Sequence, residues 1–190
     1  MKERVTMITR RNLMCIAPVL MTSACQAMAQ PGPGMILTYL GLRNGLRAQI
    51  LNITLPSGTH WGSPGGIGGR RPQNWRNSGK TEGASGDNRE LPEWLEFEWF
   101  DTVYQRNPPY TKAELDAIPR QSQRVPVRAR VPQDVVQAAI EARQQSPANK
   151  VPETLLWLYF VWTDAGIKFH WELNLRSTIL RSGGDDIDAM

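Results

Sequence analysis

Apolar and polar residues alternate in several short stretches of the chain, and this period of two predicts β-strands. The first stretch is Leu46 to Leu55, and in the second, residues 95–99, apolar residues alternate with glutamates. In a third, residues 124–131, valines alternate with arginines, and Pro126 falls on the arginine side. Because proline removes a donor from the hydrogen-bond ladder, we expect this third strand at a sheet edge.

The most secure pair of strands lies near the C-terminus. Residues 155–162 are apolar on both faces, which predicts a central strand covered on both sides. A turn at residues 163–166 precedes a second strand, so the pair is a hairpin. Its inward side carries Ile167, Phe169, Trp171, Leu173 and Leu175, and its outward side carries Lys168, His170, Glu172 and Asn174. Trp157, Phe169 and Trp171 are predicted to lie buried between the sheet and the layer that covers it.

Two other stretches follow the helical period. Residues 110–118 predict a short helix that ends at Pro119, with Thr111 and Glu114 at the capping-box spacing. Residues 132–145 predict a longer helix with a modest apolar stripe. Together these elements predict a mainly β (α+β) domain, an antiparallel β-sheet or sandwich with one or two short helices. The charges on the outward strand faces (Glu96, Glu98, Arg128, Arg130, Lys168 and Glu172) are interpreted as a solvated surface.

The segment 56–90 shows neither the alternation of a β-strand nor the apolar spacing of a helix. It contains nine glycines together with Trp61 and Trp75. A loop of this length inside a compact domain is usually functional or disordered, and its tryptophans are atypical of a disordered linker. The tail, residues 182–190, is rich in Gly and Asp and is predicted to be flexible.

Residues 1–29 have the pattern of a removable signal peptide. Four basic residues precede an apolar run from Leu13 to Ala24, and Ala27-Met28-Ala29 supplies a small-x-small cleavage site. The run is shorter than the roughly 20 residues that a membrane span needs, which favours a signal peptide over a membrane anchor. We therefore expect the mature domain to be residues 30–190, in the periplasm and without a transmembrane segment. Arg10 and Arg11 also fit a twin-arginine signal. Lipidation of Cys25 is the less favoured alternative.

Removal of the signal peptide changes the composition. The whole chain has 22 Lys and Arg against 18 Asp and Glu, and the mature part keeps 18 against 17. This balance gives no basis for a nucleic-acid partner, which would need a basic face. Both cysteines, Cys15 and Cys25, leave with the signal peptide, so the mature domain has neither a disulfide nor a thiolate site.

The sequence presents no catalytic or cofactor motif. His60 and His170, the two histidines, are too few and too far apart for a zinc site, and no Gly-x-Ser-x-Gly elbow occurs. The glycine run at residues 65–71 lacks the lysine of a phosphate-binding loop. We therefore predict no cofactor, no metal and no catalytic residue.

The candidate site is the aromatic and basic cluster within the glycine-rich segment. Tryptophan and arginine dominate protein-interface hot spots, and glycines between them let the backbone enter a cleft. The predicted partner-binding residues are Trp61, Arg70, Arg71, Trp75 and Arg76. In the alternative interpretation, the two tryptophans fold back and cap the core.

The early strand, the loop Trp61 to Gly69 and the stretch Leu91 to Trp99 together resemble a family of small exported periplasmic proteins of uncharacterised domain type. Members of that family are often encoded beside type VI secretion effectors and act as their immunity proteins. The resemblance implies a non-catalytic protein that binds and neutralises a cognate secreted effector. An envelope hydrolase built around His60 or His170, and a structural or carbohydrate-binding β-domain, are the alternatives.

Export is the first testable expectation. We predict that the mature chain begins at Gln30, which intact-mass spectrometry of the periplasmic form measures. Retention of residues 1–29, or a lipid on Cys25, contradicts the prediction. If the twin-arginine route is used, replacing Arg10 and Arg11 by lysine keeps the protein in the cytoplasm, whereas normal export of that variant excludes the route.

Overall fold

The computed structural model describes residues 32–83, 90–147 and 150–188, so the predicted signal peptide lies outside the described residues. The fold is mainly β, with 47% of residues in strands and 17% in helices, which confirms the predicted class. The strands are β1 Met35–Gly41, β2 Leu46–Thr54, β3 His60–Trp61, β4 Gly66–Gly68, β5 Lys80–Gly83, β6 Trp94–Val103, β7 Gln121–Pro126, β8 Thr154–Thr163, β9 Gly166–Leu175 and β10 Thr178–Gly184. The α-helices are α1 Lys112–Ala117 and α2 Gln133–Gln145.

One sheet is mixed and has the strand order β10-β9-β8-β1-β5. β8 and β9 form the predicted hairpin, and Thr163 pairs with Gly166 at its turn. β1, which the sequence did not predict, runs parallel to β8 from Met35↔Leu156 to Gly41↔Trp162. Six of its seven residues are buried. A strand buried on both faces lacks the alternation that reveals half-exposed strands, so period alone does not detect it.

The second sheet is antiparallel. It has the order β3-β2-β6-β7, and β4 also pairs with β2. β7 lies at its edge, as Pro126 predicted, and Glu96 and Glu98 of β6 form exposed ion pairs with arginines beside them. The third predicted strand is wrong in its second half, because residues 128–130 form a short 3-10 helix. The Arg128 guanidinium donates hydrogen bonds to the Leu91 carbonyl and holds that turn in place.

The two sheets pack face to face through aromatic side chains. Phe97 of β6 contacts Phe160 and Trp162 of β8, with ring centroids 4.9 and 5.2 Å apart, and it lies edge-on to Tyr39 of β1 at 6.4 Å. Phe169 and Trp171 are buried in the same core, as predicted. One face of α2 completes the layer with Val135, Val136 and Ala139.

Three predictions about the hairpin side chains are wrong. Trp157 is half-buried on the opposite face of the sheet, where its ring stacks on Tyr159. Leu175, at the end of β9, is 40% exposed. His170, Glu172 and Asn174 are buried, although the alternation placed them in solvent. The reason is that a second layer covers the outer face of this sheet, and the alternation of apolar and polar residues does not reveal such a layer.

This second cover consists of the 3-10 helix Trp75–Asn77 and residues 185–188. Trp75 and Ile187 pack with Leu40, Tyr159 and Val161 in a separate apolar cluster. The predicted flexible tail is therefore wrong for residues 182–188, which continue β10 and then pack against the sheet. Residues 189–190 lie outside the described residues.

The two helices are as predicted. In α1 the Thr111 hydroxyl accepts from the Glu114 backbone N–H, and the Glu114 carboxylate accepts from the Thr111 backbone N–H, which completes the capping box. Neither helix of the described part of the chain has the length and apolar character to cross a membrane.

We predict that Trp171→Ala destabilises the domain by about 3–5 kcal/mol, the usual cost of truncating a buried aromatic side chain. Trp171 is 4% exposed, and its indole N–H donates to the Arg130 carbonyl at 2.9 Å. Urea unfolding measures the change, and Leu180→Ala, at an exposed position of β10, is the control with little effect. Equal unfolding midpoints for the two variants contradict the core described here.

Candidate partner-binding groove

The glycine-rich segment is largely folded rather than an open loop. Between residues 60 and 83 it contributes β3, β4, the 3-10 helix Trp75–Asn77 and β5, and so it supplies strands to both sheets. Its strands are short because glycines interrupt them. The segment is therefore an integral part of the fold, and its residues 84–89 lie outside the described ones.

Both tryptophans of the segment are buried, as in the core-capping alternative. Trp61 is 6% exposed within the main core, and its indole N–H donates to Glu82 Oε1 at 3.0 Å. Trp75 is 7% exposed, lies edge-on to Tyr159 at 5.1 Å, and donates to Asp188 Oδ1 at 2.6 Å. Neither indole stands out from the surface as an anchor.

Arg76 links the segment to the second cover of the mixed sheet. Its Nε donates to Glu172 Oε1 at 2.7 Å, and its Nη2 donates to Asp188 Oδ2 at 3.1 Å. Its guanidinium also lies 4.2 Å from the centre of the Trp75 ring. With two carboxylates already paired to it, Arg76 holds the tail and the 3-10 helix on the sheet.

Glu172 is the buried acid at the centre of this arrangement, with an exposed fraction of 1%. Burial by itself opposes ionisation, but His170, 3.6 Å away, and Arg76 outweigh it and lower the pKa of Glu172 to about 2. The Tyr159 hydroxyl donates to the same carboxylate at 3.2 Å, and burial together with that charge raises the pKa of Tyr159. The cluster therefore has a structural role and is not an open binding site.

Arg70, by contrast, lines an open groove where the two sheets meet. The groove consists of two adjoining cavities of about 270 and 450 Å³, which share Tyr39 and Lys80 in their walls. β1 and β5 of the mixed sheet form one wall, and residues 62–68 of the other sheet form the facing wall. The walls meet where Gly41 approaches Gly68 so closely that a Cβ on Gly41 would lie 2.7 Å from the Gly68 Cα.

Arg70 and Lys80 line this groove, and a third basic side chain, Arg47, lies against Gly66 of its wall. The exposed Arg70 has its guanidinium 6.0 Å from the centre of the Tyr104 ring. Lys80 Nζ donates to the Pro64 carbonyl at 2.7 Å, and Arg47 lies against Gly66, to whose carbonyl it donates at 3.4 Å. Each cation thus contacts a ring or a neutral carbonyl, and within the described residues none of the three forms an ion pair with a carboxylate.

The five predicted partner-binding residues therefore do not lie together in one site. Arg70 lines the groove, whereas Arg71 lines a separate shallow cavity beside Leu42 and Thr163, and its backbone N–H donates to Asn44 Oδ1. The sequence missed Lys80 and Arg47 because neither belongs to the Trp- and Arg-rich run. The pairing of β1 with β5 brings Lys80 to the groove, and the pairing of β2 with β4 brings Arg47 against Gly66.

The histidines do not form a catalytic group in the part of the chain that the structure describes. His60 is exposed and contacts the Thr54 hydroxyl at 3.3 Å. His170 is buried, with Nδ1 3.1 Å from the Asp185 carbonyl oxygen and with Nε2 3.6 Å from Glu172 Oε1. The described residues also contain no group of three or more His, Cys, Asp or Glu side chains that would hold a metal ion.

The chain matches no protein-family model, no curated protein and no solved structure. Any function must therefore be argued from the groove and its charges.

The pH dependence of stability tests the buried ionic contacts of Glu172. Because its pKa is lower in the folded protein (about 2) than the usual 4.5, the ionised carboxylate stabilises the fold above pH 4.5. This stabilisation is lost as the pH falls from 4.5 to 2. We predict that the drop in melting temperature between pH 6 and pH 3 is smaller in Glu172→Gln than in the unaltered protein, as measured by circular dichroism. An equal drop in both contradicts the assignment.

Proposed function

We propose that the protein is a non-catalytic binding protein whose groove, lined by Arg70 and Lys80 with Arg47 against the Gly66 wall, receives an acidic segment of a partner protein. The observation that carries the proposal is the charge state of the groove. At least ten other basic side chains of the described residues form ion pairs with carboxylates. Among the described residues, Arg47, Arg70 and Lys80 have no such partner, so a carboxylate from another molecule fits there.

The walls of the groove suit close contact with a polypeptide. Gly41, Gly66, Gly68 and Gly79 line it, and Gly68 and Gly79 are exposed, so their main-chain atoms are accessible. Bound carboxylates form charge-assisted hydrogen bonds with Lys80 and Arg70, which are stronger than the neutral contact that Lys80 makes with Pro64. Because the net charge of the mature chain is near zero, we expect these local contacts to contribute more to affinity than long-range attraction.

The resemblance to periplasmic immunity proteins suggests the kind of partner. We propose a cognate secreted effector, which this protein binds and neutralises in the periplasm. An immunity protein needs a complementary surface and no reaction chemistry. A preformed groove whose cations have no carboxylate partner in the part of the chain that the structure describes supports such a role. A toxin gene next to the gene for this chain is the expected genetic context.

The two alternatives have less support. A hydrolase around His170 would need an open site, whereas that ring is buried under Trp75 with centroids 5.4 Å apart. A carbohydrate-binding face would need exposed tryptophans, and all seven tryptophans of the chain are among the described residues and are buried or half-buried.

Charge reversal in the groove tests the proposal. We predict that Arg70→Glu combined with Lys80→Glu weakens partner binding by at least roughly thirtyfold, which corresponds to about 2 kcal/mol. Calorimetry with the neighbouring effector measures affinity, and survival of cells that express the effector measures protection.

The matched control is Lys112→Glu combined with Lys150→Glu, which changes the net charge equally at two exposed positions outside the groove. We expect this control to bind and protect like the unaltered protein, and both double variants to keep its melting temperature. Full protection by the folded groove variant refutes the proposal.

A further inference from the structure

Among the described strands, β5 is the last strand of the mixed sheet on the side of the groove. β5 ends the strand order, so within the described residues no strand pairs with its side away from β1. The outer side of an edge strand presents a row of N–H and C=O groups, on which another chain can pair. β5 can therefore form main-chain hydrogen bonds with a partner beside the positively charged side chains of the groove.

Across the larger cavity, residues 62–64 face β5 without being paired to it. The described contacts that bridge the gap come from side chains: Lys80 reaches the Pro64 carbonyl, and Glu82 accepts from the Trp61 indole. The gap between the two walls, about 450 Å³ in volume, is therefore spanned by side chains rather than closed by a strand.

The facing wall leaves room for incoming side chains. A Cβ built on Gly62 would lie 3.7 Å from Glu82 Oε1, and one on Gly65 would lie 3.8 Å from Lys80 Nζ. Glycines at these positions widen the cavity at the level where inward side chains of an added strand would lie.

The register of β5 determines which of its side chains would contact an added strand. Lys80 and Glu82 pair with Tyr39 and Leu37, both fully buried core residues, so these two β5 side chains point to the inner side of the sheet. The Glu82 carboxylate already accepts from Trp61 and, at 3.5 Å, from the Tyr39 hydroxyl. Lys80 has only its carbonyl contact among the described residues, so an inward Asp or Glu is the best complement.

We infer that the groove binds its partner by strand addition: an extended acidic segment pairs with the outer edge of β5 and places a carboxylate against Lys80 and a further one near Arg70. Main-chain hydrogen bonds then provide affinity, and the inward pockets provide specificity. This inference rests on the proposed function and adds the conformation and the charge pattern of the bound segment.

A display library of random twelve-residue peptides, selected against the purified protein, tests the inference. We expect enriched peptides to carry Asp or Glu at alternate positions and to bind Lys80→Gln at least tenfold more weakly than Lys150→Gln, the matched control. N-methylation of alternate backbone amides should reduce affinity at least tenfold for one set of alternate positions and little for the other. Hydrogen exchange at residues 80–83 should slow in the complex.

Several results overturn the inference. An enriched acidic peptide that depends on Lys80 but tolerates N-methylation at every amide refutes strand addition and leaves the groove as a binding site. Enriched peptides indifferent to Lys80→Gln, or a selection without any enriched peptide, refute the acidic strand itself. The proposed function fails separately, when the charge-reversed double variant still binds and protects against the effector.

Discussion

The groove depends on one close approach between backbones, that of Gly41 and Gly68. Gly41 ends β1 in the mixed sheet and Gly68 ends β4 in the antiparallel sheet, and a Cβ on Gly41 would lie 2.7 Å from the Gly68 Cα. Gly68 also has φ +82°, a conformation that L side chains rarely adopt. Because both positions lack a side chain, the sheets join at this corner. Arg70 follows on one wall, and Lys80 lies on the other.

The predictable part of the fold is the part with a clear local sequence pattern. β2, β6 and β9 were found from their alternation, β8 from its continuous apolar run, and α1 from its capping box. β1 was missed because it is buried on both faces, so it does not alternate, and because Thr38 breaks the long apolar run that revealed β8. His170 and Glu172 were assigned to solvent because a sequence does not show that Trp75, about one hundred residues earlier, covers them. Long-range cover of this kind leaves no periodic signal.

The sequence predicted the segment that forms the candidate site, but not where its individual side chains lie. The glycine-rich segment does form the groove, and Arg70 lies in it. Trp61 and Trp75 instead serve the two apolar clusters, and Arg76 is bound to Glu172 and Asp188. One segment thus combines two tasks: its tryptophans fix it to the sheets, and its glycines and cations face the cavity. Rigid attachment lowers the ordering cost of binding, which favours a preformed groove over a mobile loop.

Photo-crosslinking in the producing cells tests the central claim, that the partner binds at the groove, most directly. A photoreactive residue at Thr81 of β5, in the wall of the larger cavity, is compared with one at Ser122 of β7, on the edge of the other sheet. The account predicts a single discrete adduct from position 81 that disappears when Arg70 and Lys80 are reversed in charge, and none from position 122. An adduct from position 122 alone, or one at position 81 that survives charge reversal, would contradict it.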